Sequence, residues 1–136
     1  MDLNSKHILL AEDEPHTRFT ISLILRKSGY KVSTSKDGLN ALNLILEHKD
    51  SYEPVDLLLT DVEMAGLNGL CLIEELEKAC ISLPILVITG YGYEEKILEL
   101  KKKENIHRID KPFGPQDLVD RINNILSKNI KVSCCK

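Results

Sequence analysis

The sequence predicts an α/β domain, a doubly wound sheet of five parallel strands with helices on both faces. Three observations predict it. Short apolar runs bounded by turn residues recur along the chain, stretches of helical apolar spacing lie between them, and the runs end in residues capable of chemistry.

The first run is His7-Ile8-Leu9-Leu10-Ala11, the third Asp56-Leu57-Leu58-Leu59-Thr60 and the fourth Pro84-Ile85-Leu86-Val87-Ile88-Thr89. Runs this short and continuous suit strands buried on both faces of a parallel sheet. Tyr30 to Thr34 and His107 to Asp110 are more polar, as edge strands are. The intervening segments repeat apolar residues at helical spacing: Phe19, Leu23 and Ile24; Leu39, Leu42 and Leu46; Leu70, Ile73 and Leu76; Ile97 and Leu100; and Leu118, Ile122, Ile125 and Leu126. Pro15 and Pro115 suit first helical turns, and Gly29 suits a helix exit. Five strand-then-helix units follow, with no repeat and no low-complexity linker.

A chain of 136 residues is most simply one domain. Its 43% hydrophobic and 29% charged residues are ordinary for a globular protein. A net charge of −3 gives no electrostatic case for nucleic acid. No apolar run approaches the ~20 residues that span a bilayer, and the start is too polar for a signal peptide. The expectation is a cytoplasmic protein. The cysteines, Cys71, Cys80, Cys134 and Cys135, form no Cys-x-x-Cys motif and no zinc spacing.

In a parallel α/β sheet, ligands bind beyond the carboxyl ends of the strands. Here the first strand ends in Glu12-Asp13, the third in Asp61, the fourth in Thr89 and the fifth in Lys111-Pro112. Singly each has an ordinary reading: acids at a helix start, a turn former, a β-prone threonine, a solvated cation. Together they gather three carboxylates around one cleft, where like charges raise one another's pKa unless a cation intervenes. Lys111 supplies one positive charge and a divalent ion would supply more. An all-oxygen site with few carboxylates favours Mg²⁺. Such a site suits a phosphoryl group, with the ionised carboxylate of Asp61 as its acceptor.

The stretches ILLAEDEP at 8–15, LLLTDVEMAGLNG at 57–69, ILVITGYG at 85–92 and DKPF at 110–113 resemble the receiver domain of two-component response regulators. The resemblance covers about residues 6–128. It implies the flavodoxin-like strand order 2-1-3-4-5, a receiver domain over residues 1–128 and a polar tail over 129–136. It further implies that Glu12 and Asp13 form the acidic Mg²⁺ pocket, and that Asp61 is the phosphoacceptor and a metal ligand. Glu63 would offer its backbone carbonyl to the metal, Thr89 would be the switch hydroxyl, and Lys111 would pair with the phosphate. The Lys111–Pro112 bond is expected to be cis.

The implied donor is a histidine kinase or a histidine phosphotransfer protein. The implied output face is the fourth helix, fifth strand and fifth helix, roughly residues 93–103, 107–110 and 116–128. It would act on a partner or output domain, and the domain itself would bind neither nucleic acid nor membrane. Such a domain is not a conventional enzyme, although it assists its own phosphorylation and hydrolysis. An aspartyl-phosphate phosphatase would share this chemistry, but so short a chain offers no evident cap over a substrate. Either a stand-alone receiver or a piece of a longer regulator fits this length.

Two positions and one segment depart from the family pattern. Arg108 stands where an aromatic is usual three residues before the lysine, and Ala65 stands where proline commonly follows Met64. The small residues often found before the last strand are replaced by Lys101-Lys102-Lys103-Glu104-Asn105. Arg108 is the main support for the alternative reading, a phosphorylation-independent receiver-like scaffold.

Overall fold

The computed structural model describes residues 6–64, 68–90 and 105–132. Five strands form one parallel sheet in the order β2-β1-β3-β4-β5: β1 (His7–Ala11), β2 (Lys31–Ser35), β3 (Leu57–Asp61), β4 (Ile85–Thr89) and β5 (Ile106–Asp110). The expected topology and both edge strands are therefore present. β1, β3 and β4 are buried at every residue, as their unbroken apolar runs require.

Three helices, α1 (Pro15–Lys27), α2 (Gly38–His48) and α3 (Gly69–Lys78), and a C-terminal helix (Pro115–Val132) cover the sheet. α1 and the C-terminal helix pack on one face, through Ile21, Leu25, Leu118, Ile122 and Ile125. α2 and α3 pack on the other, through Ala41, Ile45, Leu72, Ile73 and Leu76. The segment with Ile97 and Leu100 lies outside the described residues. Among those described, no helix is long and apolar enough to cross a membrane.

Side-chain carboxylates and amides cap the helices. Glu14, Asp37 and Asn68 accept from first-turn amides of α1, α2 and α3, satisfying donors that have no partner within the helix. Pro15 occupies the first turn of α1, and Gly29 follows its end with φ 99°. Both match the sequence expectation.

Two helical stripes differ from it. In α1 the inward residues are Ile21 and Leu25, while Phe19 and Leu23 are 65% and 42% exposed. In α2 they are Ala41 and Ile45, with the expected Leu42 partly buried against the core, while Leu39 and Leu46 face outward. Both helices carry apolar residues on more than one face. Spacing alone identified the helices but not the side that turns to the sheet.

α3 ends less comfortably than α1. Cys80 occupies the left-handed region with φ 58°, where a Cβ crowds the backbone, and its side chain is exposed. Glycine adopts that conformation without the clash. Cys80→Gly is expected to raise the unfolding free energy by about 0.5–1 kcal/mol, measured by urea unfolding. A destabilised variant would show that the thiol makes a contact worth more than the relieved strain.

Candidate functional site

The parallel sheet brings the carboxyl ends of β1, β3, β4 and β5 to one edge, where Glu12, Asp61, Thr89 and Lys111 stand. Asp61 is the last residue of β3 and is 5% exposed. Lys111 Nζ donates to Asp61 Oδ2 at 3.2 Å across 50 residues of sequence. The other oxygen, Oδ1, accepts from the Glu63 backbone N–H at 3.1 Å. Lys111 is anchored in turn by its own N–H on the Thr89 carbonyl at 2.9 Å. The Lys111–Pro112 bond is cis, as the resemblance implied. Thr89 is buried, and its hydroxyl donates to the Gly90 carbonyl at 3.2 Å.

Glu12 is the most constrained of the acids. Its backbone N–H donates to the Ser35 carbonyl at 3.0 Å, and its Oε2 accepts from the Glu14 N–H at 3.0 Å. Its Oε1 is buried with no hydrogen-bond partner. The Asp61 carboxylate lies close by, and two like charges so near favour the protonated form of one. Burial first, opposed by the Glu14 amide and then reinforced by Asp61, pushes the Glu12 carboxyl up to about 7. Lys111 acts the other way and does not cancel the shift. Asp13 follows and is half-buried.

These groups suit a hard divalent cation. Buried carboxylate charge exceeds the one lysine facing it, and an orphaned oxygen is a ligand atom without a donor. Among the described residues no three His, Cys, Asp or Glu side chains are close enough to form a metal cage. Mg²⁺ fits that restriction, because it keeps several waters and needs only one or two carboxylates. Zinc, which takes four nitrogen or sulfur-rich ligands, does not.

Two contributors were not singled out from sequence. Gly69, first residue of α3, lies against the β3 exit: a Cβ there would stand 2.4 Å from the Asp61 carbonyl oxygen. Its N–H also donates to the Val62 carbonyl at 3.0 Å, closing the loop behind Asp61. The glycine eight residues after Asp61 was the only available signal. The second is Arg18, whose Nη1 donates to the Glu12 carbonyl at 2.9 Å.

Arg108 lies beside this edge. Its Nε contacts Asp110 Oδ1 at 3.2 Å and its Nη2 donates to Oδ2 at 3.3 Å. Arg121 from the C-terminal helix donates to the Arg108 carbonyl at 2.7 Å. Ala65 and residues 101–104 of the charge run lie outside the described residues.

A carboxyl raised on folding keeps its proton in the folded state over a range where the unfolded chain has lost it. Glu12 therefore costs nothing below its unfolded value and increasingly destabilises the protein as pH rises through about 7. Glu12→Gln removes that cost. In metal-free buffer it is expected to be more stable than the wild type by roughly 1–2 kcal/mol at pH 8, and by little at pH 5. Denaturant unfolding at both pH values checks this; an advantage independent of pH would contradict it.

Comparison with known proteins agrees with the geometry. Residues 8–123 match the family model described as the response regulator receiver domain. The aerobic respiration control protein ArcA of Escherichia coli (strain K12) is 32% identical over 131 residues, covering 96% of this chain and 52% of that protein. The chain thus spans about half the length of the curated relatives it matches. A crystal structure of a response regulator receiver domain protein from Clostridium thermocellum superposes with a TM-score of 0.82 at 26% identity, over 93% of this chain and 98% of that one. Vibrio cholerae chemotaxis protein CheY4 gives a TM-score of 0.77 at 25% identity, over 89% and 98%. On its sequence match and its sheet order, the chain belongs to the response regulator receiver domain family of two-component systems.

Proposed function

We propose that this domain accepts a phosphoryl group on Asp61 from a phosphohistidine of a histidine kinase or phosphotransfer protein. The carrying observation is a buried carboxylate 3.2 Å from Lys111, beside a buried Glu12 oxygen that lacks a partner. One Asp61 oxygen attacks phosphorus, the donor P–N bond breaks, and its electron pair stays on the leaving imidazole. The product is an acyl phosphate on Asp61. Lys111, half exposed and held by a single side-chain contact to Asp61, turns to the new phosphoryl oxygens. Thr89 turns its hydroxyl from the Gly90 carbonyl to a phosphoryl oxygen.

Glu12, Asp13, Asp61 and the Glu63 carbonyl are the proposed Mg²⁺ site, with one or two of the carboxylates binding the ion directly and the rest through its waters. When bound, the ion supplies the positive charge that the carboxylates and the phosphoryl oxygens together require. The chain's own contribution is to aim the acceptor, exclude most water from it and supply Lys111. This is a signalling module that assists its own chemistry, with residues 1–128 as the receiver and 129–136 as tail. Its output is assigned to the face that includes residues 107–110 and 116–128, toward a partner or output domain; residues 93–103, expected to complete it, lie outside the described residues.

One observation favours the scaffold alternative. Arg108 is engaged by Asp110 at both ends of its guanidinium, so no aromatic ring is available there to follow Thr89. Two-dimensional NMR with beryllofluoride and Mg²⁺ separates the readings. Shifts at Thr89 and along the C-terminal helix support the switch, and shifts confined to the acidic pocket support the scaffold.

The acceptor assignment has its own test. Incubation with acetyl phosphate and Mg²⁺ is expected to add one phosphate by intact-mass spectrometry, and Asp61→Asn to abolish the addition. Labelling that survives the substitution overturns it.

A further inference from the structure

We propose that Arg18 is a positioning residue for the acidic pocket, fixing the Glu12–Asp13 peptide so that both carboxylates serve the cation. The proposal rests on the Mg²⁺ reading above.

Arg18 is the fourth residue of α1, close to the end where the helix dipole disfavours a cation. Intrinsic helix energetics therefore do not account for an arginine here. The tertiary contact does. Its Nη1 reaches back six residues and donates to the Glu12 carbonyl at 2.9 Å. Its own N–H bonds the Glu14 carbonyl at 2.9 Å, so the side chain springs from an ordered first turn.

That carbonyl matters because the peptide group is planar. Fixing the Glu12 C=O fixes the plane it shares with the Asp13 N and Cα, and hence the direction in which Asp13 departs. With Arg18 included, Glu12 is held at three points. Ser35 of β2 takes its N–H, Arg18 of α1 binds its carbonyl, and the Glu14 amide binds Oε2. Only Oε1 is left without a partner. An arrangement that satisfies every polar atom of a buried acid except one orients that atom as a ligand.

The same helix contains a matched control. Arg26 also donates from α1 to a backbone carbonyl, its Nη2 to Val32 at 3.1 Å, on the second residue of β2 rather than at the acidic turn. Losing a guanidinium–carbonyl bond is common to both substitutions; losing the pocket's support belongs to Arg18 alone.

The experiment compares wild type, Arg18→Met, Arg18→Gln and Arg26→Met. Both Met variants keep the apolar stem and remove the guanidinium. Magnesium affinity is measured by calorimetric titration with MgCl₂, acetyl phosphate labelling by initial rate, and folding by thermal midpoint. Arg18→Met and Arg18→Gln are expected to weaken Mg²⁺ binding by about tenfold and to slow labelling at sub-saturating Mg²⁺, with labelling recovered at saturating Mg²⁺. Arg26→Met is expected to lower the midpoint comparably and leave Mg²⁺ affinity unchanged. Equal Mg²⁺ affinity in the Arg18 variants and Arg26→Met overturns the proposal while leaving the site itself intact. A wild type that binds no Mg²⁺ overturns the reading of the site on which the proposal stands.

Discussion

The organising constraint is one ion pair at a strand end. Asp61 is buried at the carboxyl edge of β3, and Lys111, 50 residues later, is the cation that faces it. A single lysine, itself about half exposed, does not neutralise Asp61 and Glu12 together. Buried charge left short of counter-charge destabilises a resting protein, and the same shortage favours a divalent cation. The architecture around it serves to hold that deficit in place.

The sheet does most of the holding. β1, β3 and β4 are buried on both faces, so their register is set by packing and cannot slip without turning apolar side chains outward. Asp61 and Thr89 therefore leave the sheet at fixed heights, and β5 brings Lys111 alongside through its pairing with β4. Gly69 closes the loop after β3 against the Asp61 carbonyl, where a larger residue would push the Asp61 backbone aside. The acidic turn after β1 is tied down from β2 and α1.

Strand identity and the gathering of Glu12, Asp61, Thr89 and Lys111 at one sheet edge were legible because they depend on period and on where apolar runs stop, whereas the strand order came from the resemblance to receiver domains. The C-terminal helix was legible too, since Leu118, Ile122 and Ile125 form a single stripe and all are buried. α1 and α2 were legible only as helices. Leucines occupy two faces of each, and the sheet selects the smaller-looking stripes, Ile21–Leu25 and Ala41–Ile45. Arg18 and Gly69 were not legible as site components. Their roles are a long-range hydrogen bond and a close backbone approach, neither of which leaves a periodic trace. Arg108 was noticed as a departure, but its pairing with Asp110 depends on two side chains of one strand facing the same way.

The central claim is that the edge carries a deficit of positive charge which Mg²⁺ relieves. The most direct measurement is the unfolding free energy at pH 8 with and without Mg²⁺ at several times its dissociation constant. The account predicts that Mg²⁺ stabilises the wild type by roughly 1 kcal/mol, and by much less when either Glu12 or Asp61 is made neutral. An equal effect of Mg²⁺ on the wild type and both neutral variants, or no effect on any of them, would contradict it.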